Sequence, residues 1–231
     1  MLYTKDQVRD NIRNRNGKRV FYLGKDDRLT SEAKDFLTGQ RIEILSADQA
    51  KPPQYRLLGG GYTEEKPEHM THLNGDVLVP KTHPRIRFRG AIDYLEAELL
   101  LCQQEIPGLK NQLQELLDLA RKLIRCDVLD EPVGEIILCG LTEQEQRQRS
   151  HLPQQYFGIP HFMPSSEDSR EILLLNRLRS ITRKGELLAV DAFSDREGIP
   201  TRLDILQAMN RMSSMLYILM LQEKANRNDK R

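Results

Sequence analysis

Beyond residue 83 the apolar positions recur at alternating intervals of four and three. Phe88, Ile92, Leu95, Leu99 and Cys102 form one such series, and Leu109, Leu113, Leu116, Ala120 and Leu123 a second. Leu174, Leu178, Ile181, Leu188 and Ala192 form a third, and Leu206, Met209, Leu216 and Met220 a fourth. This period lines each series along one face of an α-helix, and each stripe is wide enough to face a shared core. No alternation of period two interrupts them. The stretch from Asp127 to Pro164 is less regular, and "LTEQEQRQRSH" within it reads as a short polar helix. Residues 83–231 are therefore expected to form a bundle of about five helices.

Residues 1–47 mix periods. "TKDQVRDNIRN" reads as a short helix, "RVFYLG" as a strand, "TSEAKDFLTGQ" as a helix and "RIEIL" as a strand. Thr30 is the expected N-cap of the second helix and Gly39 its expected stop. A small α/β accessory module follows from this, without a glycine-rich phosphate turn. Residues 48–82 lie between the two parts, and "KPPQYRLLGGGYTEEKPEHMTHLNGD" carries three prolines and four glycines. That density of breakers predicts a linker without regular structure, and a loop of this length is either functional or disordered. The expected fold class is mainly α: a helical bundle with a small α/β N-terminal module.

Composition adds limits. The chain has 231 residues, 39% hydrophobic and 30% charged, which is ordinary globular material with room for one good core and a small appendage. A net charge of +1 gives no reason to expect a nucleic-acid or membrane partner. "MLYTKDQVRD" has no apolar run of a secretory signal, and nothing reaches the length of a spanning helix, so a cytoplasmic location is expected. Cys102, Cys126 and Cys139 are odd in number and widely spaced, which reads as buried thiols in a reducing compartment. His69 and His72 make one HxxH pair with no third ligand nearby, so no metal-binding cluster of protein side chains is expected.

With so little net charge, the crowding of Lys81, Arg85, Arg87 and Arg89 at the start of the first long helix needs a local cause. A phosphate site is one reading, and a solvated helix start with a structural ion pair is the other. Asp93 follows, about 100° round the helix from Ile92. Arg179 and Arg183 stack at i,i+4 beside Leu178 and Ile181, and Asn210 and Arg211 follow Met209. These polar groups at core edges form either a solvated rim or one convergent site where arginine forks and a lysine hold a polyanion. Periodicity does not choose between them.

The residues do resemble a known family, the ATP:cob(I)alamin adenosyltransferases, in particular the ethanolamine-utilization type. The resemblance runs over about residues 71–220, in "THLNGDVLVPKTHPR", "GAIDYLEAEL", "RCDVLDEP", "LRSITRKGEL" and "DILQAMNRMSSMLYILM". The related propanediol-utilization type carries T-S-L-x-G-G-x-R-V-x-K, G-T-x-D-E-L, A-R-x-x-C-R-R-A-E-R and N-R-L-S-D, similar to "THLNGDVLVPK", "GAIDYL", "LRSITRKGEL" and "NRMSS" here. The resemblance implies ATP contacts at Thr71, Lys81, Arg183, Lys184 and Asn210, with magnesium arriving on ATP and Asn210 touching the nucleotide or its metal. It makes Asp93 and Arg179 an ion pair at a subunit boundary beside the nucleotide, and counts Asp93, Arg179 and Arg183 as catalytic.

The implied reaction transfers the 5′-deoxyadenosyl group of ATP to the cobalt of cob(I)alamin, giving adenosylcobalamin for ethanolamine ammonia-lyase. The cofactor is itself the nucleophile, so positioning and electrostatics carry the catalysis and no general base is required. An apolar wedge must displace the lower axial ligand of the cobalt, and Tyr156, Phe157 and Phe162 in "QQYFGIPHFMP" are the candidates, with core packing as their other reading. A homo-oligomer is implied, trimeric or else dimeric, with a flavin reductant protein as a further partner and a bacterial microcompartment as another location. Three departures stand out. "YTEEKPEHMTHL" has no glycine where the propanediol type wraps the triphosphate, Lys184 replaces an arginine, and Ser214 replaces an acid. Some ethanolamine-type members bind a metal through cysteines ahead of the first long helix, but no cysteine precedes Cys102, so that metal is not carried over. The other functional class is a non-catalytic corrinoid-binding or docking bundle in a metabolic microcompartment. The glycine-free loop favours it, and the matched Lys81, Asp93, Arg179, Arg183 and Asn210 favour the enzyme. Every matched motif lies after His69, so residues 1–47 are expected to be dispensable for chemistry.

Overall fold

A computed structural model of the chain describes residues 1–15, 17–50 and 55–228. It contains two compact units, Met1–His83 and Pro84–Arg231.

The first unit holds β1 (Leu2–Tyr3), α1 (Lys5–Asp10), β2 (Arg13–Arg15), β3 (Lys18–Leu23), β4 (Arg28–Leu29), α2 (Ser31–Gly39), β5 (Glu43–Ser46), β6 (Tyr55–Leu57), β7 (Tyr62–Thr63), β8 (Met70–Asn74) and β9 (Val77–Pro80). Seven of the strands form one sheet in the order β5-β3-β2-β7-β6-β9-β8, and β1 pairs with β4. Val8, Phe21, Ala33 and Leu37 are buried together beneath it. Thr30 caps α2 as expected, its hydroxyl accepting from the Ala33 N–H at 3.3 Å. Gly39 is the last helical residue, but the left-handed position falls later, at Arg41, with φ 53°. The first helix stops at Asp10, and the end of "TKDQVRDNIRN" turns into β2, which pairs on both sides.

The expectation of an irregular linker over 48–82 does not survive. Its first prolines, in residues 51–54, lie outside the described residues, but the remainder carries four strands of the main sheet. The four glycines and Pro67 sit between the strands, and Pro80 ends one. Gly61 makes the junction possible: its φ is +83°, and a Cβ there would stand 2.3 Å from the carbonyl oxygen of Ile12. Only glycine lets β7 come in beside β2.

The second unit is the helical bundle. It comprises α3 (Pro84–Glu105), α4 (Lys110–Leu129), α5 (Glu143–His151), α6 (Pro153–Phe157), α7 (Arg170–Ala192) and α8 (Leu203–Asn228). α7 packs on both α3 and α8, α4 packs on α3, and α5 packs on α8. The first two stripes are buried as read, and so are Met209, Leu216 and Met220 of the last. On α7 the buried line is Ile172, Leu175, Leu178, Thr182, Gly185 and Ala189, while Leu174, Ile181 and Leu188 flank it half-buried. Gly185 lies on that line: a Cβ there would meet the end of the Met209 side chain at 2.9 Å, so α7 and α8 approach closely at this point. "LTEQEQRQRSH" forms α5, with a capping box between Thr142 and Glu145.

Two of the arginines at the start of α3 turn inward. Arg85 and Arg89 each donate from Nε to the carboxylate of Asp127 on α4, both at 2.6 Å, and Asp127 is fully buried. Arg87 pairs at the surface with Asp191. The basic cluster is thus largely a structural tie between α3 and α4. All three cysteines are free thiols; burial raises each pKa, with Cys139 pushed up to about 12. No described helix is long and apolar enough to cross a membrane.

Candidate functional site

α7 carries a second period beside its buried one. Asn176, Arg179, Arg183 and Glu186 are spaced three, four and three apart, which puts them on one face. Asn210, Ser213, Ser214 and Tyr217 do the same on α8. The two polar faces meet along the α7–α8 contact and line a cleft of about 710 Å³. The segment His161–Pro164 closes one end, with Ser150 and His151 from the end of α5.

The cleft has two ends of different chemistry. At the polar end, neither Arg179 nor Arg183 makes an ion pair with any described residue. Burial lowers the pKa of Arg179, the charge of Arg183 lowers it further, and Tyr217 opposes the shift. Both effects mean that the pair of guanidinium groups would gain from an incoming anion. Asn210 is held from both sides: its amide donates to Glu186 at 3.0 Å, and its oxygen accepts from the Arg211 guanidinium. Arg211 is itself buried, which lowers its pKa despite Glu143 nearby, and it also donates to the Glu143 carbonyl at 3.3 Å.

At the aromatic end, Phe162 stacks on Tyr217 with ring centroids 6.2 Å apart. Lys224 lies over the Phe162 ring at 5.3 Å and is anchored by Asp168. That anchor holds the Asp168 carboxyl below the usual carboxylate range. Met163 and Met220 add adaptable apolar surface.

Of the residues singled out from sequence, the cleft gathers Arg179, Arg183, Asn210 and Phe162. It does not gather the others. Phe157 packs against the bundle core, and Tyr156 is exposed with Arg149 over its ring at 5.6 Å. Phe157 thus occupies the position of a packing residue, whereas Tyr156 lies neither in the core nor in the cleft. Lys184 is exposed and lies outside the cleft lining. Asp93 is on the exposed side of α3, and among the described residues of its own chain it has no ion-pair partner, so the expected pair with Arg179 does not form within one chain. Thr71 lies on β8, and Lys81 follows β9, where its N–H bonds the His69 carbonyl at 2.8 Å; both belong to the first unit. Sequence reasoning missed Glu186, Tyr217 and His161. Glu186 falls on the polar period of α7, so the same counting that found the apolar stripes would have found it, whereas Tyr217 sits between Leu216 and Ile218 and reads as apolar. His161 has no such signal. Among the described residues no group of three His, Cys, Asp or Glu side chains is arranged to hold a metal ion.

A family model described as cobalamin adenosyltransferase matches residues 61–223. The corrinoid adenosyltransferase EutT of Salmonella typhimurium is 31% identical over 224 aligned residues, covering 87% of this chain and 84% of the relative. The protein of the same name from Escherichia coli K12 is 29% identical with the same coverage. The match takes in the whole of α3 to α7 and all but the last turn of α8, the helices that build the cleft, and on it the chain belongs to the cobalamin adenosyltransferase family of enzymes.

Proposed function

We propose that the chain adenosylates corrinoids, transferring the 5′-deoxyadenosyl group of ATP to the cobalt of cob(I)alamin, in support of ethanolamine breakdown. The observation that carries this reading is the division of one cleft into a cationic end, whose two arginines make no ion pair among the described residues, and an aromatic end. Arg179 and Arg183 suit a polyphosphate, and Phe162 with Tyr217 suits the face of a corrin ring.

The electron pair of Co(I) forms the Co–C bond at the ribose 5′ carbon. The C5′–O bond breaks, and its electrons leave with triphosphate. No proton moves at the attacking atom. The work of this chain is to hold the two substrates in line and to stabilise the charge building on the leaving oxygen, which falls to Arg179 and Arg183. Asn210 and Glu186 offer oxygen donors of the kind magnesium accepts, and magnesium bound with ATP would neutralise part of the triphosphate charge there. Phe162 takes the lower face of the corrin and keeps the axial base away. Lys81, Lys184 and Thr71 are further ATP contacts by family resemblance alone.

Asp93 and Arg179 complete the site as a pair between neighbouring copies in a homo-oligomer, a trimer in preference to a dimer. Two features support this: each lacks an ion-pair partner among the described residues of its own chain, and Tyr94 and Leu101 expose apolar surface on the same helix as Asp93. The test is anaerobic. Purified protein with ATP, magnesium and chemically reduced cob(I)alamin should yield the absorbance spectrum of the adenosyl product. Corrinoid binding without product would overturn this reading in favour of a non-catalytic corrinoid-binding bundle.

A further inference from the structure

Tyr217 touches His161 and Phe162 at the aromatic end and Arg179 at the cationic end. Its hydroxyl lies 3.3 Å from the backbone N of Phe162 and 3.1 Å from Nδ1 of His161. The other ring nitrogen of His161 lies 3.2 Å from the carbonyl oxygen of His151. For a neutral imidazole, one assignment of protons satisfies this chain. The Phe162 N–H can only donate, so the Tyr217 oxygen accepts. The His151 carbonyl can only accept, so Nε2 of His161 carries the hydrogen. Nδ1 is then the acceptor for the Tyr217 O–H. The imidazole lies parallel to the phenol ring, 7° between planes and 5.9 Å between centroids. On the same phenol ring sits the guanidinium of Arg179, 5.2 Å from the centroid.

We propose that Tyr217 is a positioning residue for corrinoid activation: its hydroxyl pins the His161–Phe162 segment so that the Phe162 ring stays at the corrin site, while its ring seats Arg179. The proposal rests on the reading of Phe162 as the group that displaces the axial base. The segment needs such a pin. Residues 158–164 contain no regular secondary structure, and neither N–H of His161 or Phe162 makes a backbone hydrogen bond among those described. Without the hydroxyl, Phe162 keeps its ring contacts with Tyr217 and Lys224 and its packing against the bundle core, but its N–H loses its partner.

The two halves of the proposal separate by substitution. Tyr217→Phe keeps the ring and removes the hydroxyl, whereas Tyr217→Ala removes both. The readouts are the KM for ATP, the KM for corrinoid, and the fraction of Co(II) corrinoid that becomes four-coordinate in the presence of ATP, followed by absorbance and electron paramagnetic resonance. Loss of the hydroxyl in Tyr217→Phe should raise the corrinoid KM about fivefold and cut the four-coordinate fraction, with the ATP KM within about twofold of wild type. Tyr217→Ala should in addition raise the ATP KM, because Arg179 loses its seat. Phe162→Ala serves as the reference. If it leaves the four-coordinate fraction unchanged, the reading of Phe162 fails and the proposal with it. If it lowers the fraction while Tyr217→Phe matches wild type, Phe162 keeps its role and the pin is refuted. Equal rises of both KM values in Tyr217→Phe would also overturn the proposal, since a general loosening of the bundle predicts that pattern.

Discussion

Asp127 takes hydrogen bonds from two arginines while fully buried, and that single carboxylate accounts for most of the charge at the start of α3. The arrangement is a tie between helices: Arg85 and Arg89 are one turn apart and reach the same acceptor on α4, and Arg85 also covers the Phe193 ring at 5.9 Å. Removing one partner of such a pair leaves charge buried without compensation, which costs about 3–5 kcal/mol. Asp127→Asn should therefore lower the melting temperature of the bundle by several degrees while leaving the KM for ATP near wild type. A large rise in that KM with an unchanged melt would instead return the arginines to the phosphate site. The cluster was legible in the sequence, but its partner was not. Asp127 lies 38 residues beyond Arg89, and only the antiparallel packing of α3 on α4 brings the two together. Tyr217 was hidden differently, since between Leu216 and Ile218 it reads as one more apolar core residue. Its hydroxyl matters only because His161 and Phe162 arrive from outside the periodic helices.

The long helices were readable as elements because each buries a continuous stripe, and a stripe is a local property of sequence. Their ends depend on specific polar groups, and α8 is the clearest case. Asp204 in its first turn accepts from the Val133 N–H at 3.0 Å and forms a fork-to-fork pair with Arg202, which also donates to the Glu131 carbonyl at 2.7 Å. The Arg202 hydrogen bonds are the largest cause holding the Asp204 carboxyl below the usual carboxylate range, and the Val133 and Ile205 N–H groups add to it against the opposing effect of burial. A depressed carboxyl stabilises the fold at all pH values above the unfolded pKa, near 3.9, and loses that contribution as pH falls through the folded value. Acid unfolding of wild type should accordingly steepen below about pH 4. Asp204→Asn should be less stable at neutral pH and should lose less on acidification, measured as denaturant midpoints across that range. Equal slopes for the two proteins would remove Asp204 from the acid response. The strands of residues 55–80 were illegible for the opposite reason. They run two to five residues each, too short for a period to emerge, and the pairings that join their two hairpins to each other and to β2 are remote in sequence. Prolines and glycines in the turns then dominate any local reading.

At the scale of the molecule, two expectations concern which parts act together. If Asp93 and Arg179 pair between copies, Asp93→Asn and Arg179→Ala should each be nearly inactive alone. Oligomers assembled from both chains should recover activity, because about a quarter of randomly formed boundaries carry both wild-type side chains. No recovery in verified mixed oligomers would mean that the two residues act separately. The second expectation reverses one that sequence motifs suggested. Every matched motif lies after His69, which made residues 1–47 look separable, yet β2 lies within the sheet between β3 and β7. Its register pairs Arg13 with Tyr62 and Asn14 with Thr63. The Tyr62 N–H donates to the Ile12 carbonyl at 2.6 Å, the Glu64 N–H to the Asn14 carbonyl at 3.3 Å, and the Tyr22 hydroxyl to the Glu64 carboxylate at 2.8 Å. A chain beginning at Ala50 loses all of these, along with the apolar cluster around Phe21 and Leu37. What remains of the sheet is β6 to β9 with β7 as a bare edge, and short ribbons of this kind are marginal without a core to cover them. Such a chain should keep the helical circular dichroism and cooperative melt of the bundle, because α3 to α8 bury their own core. Amide exchange at Tyr62 and Glu64 should become fast, and the KM for ATP should rise if Thr71 and Lys81 contact it as the family resemblance implies. Exchange protection at Tyr62 and Glu64 equal to that of the full chain would mean that residues 55–83 fold without β2 and that the first unit divides after all near residue 47.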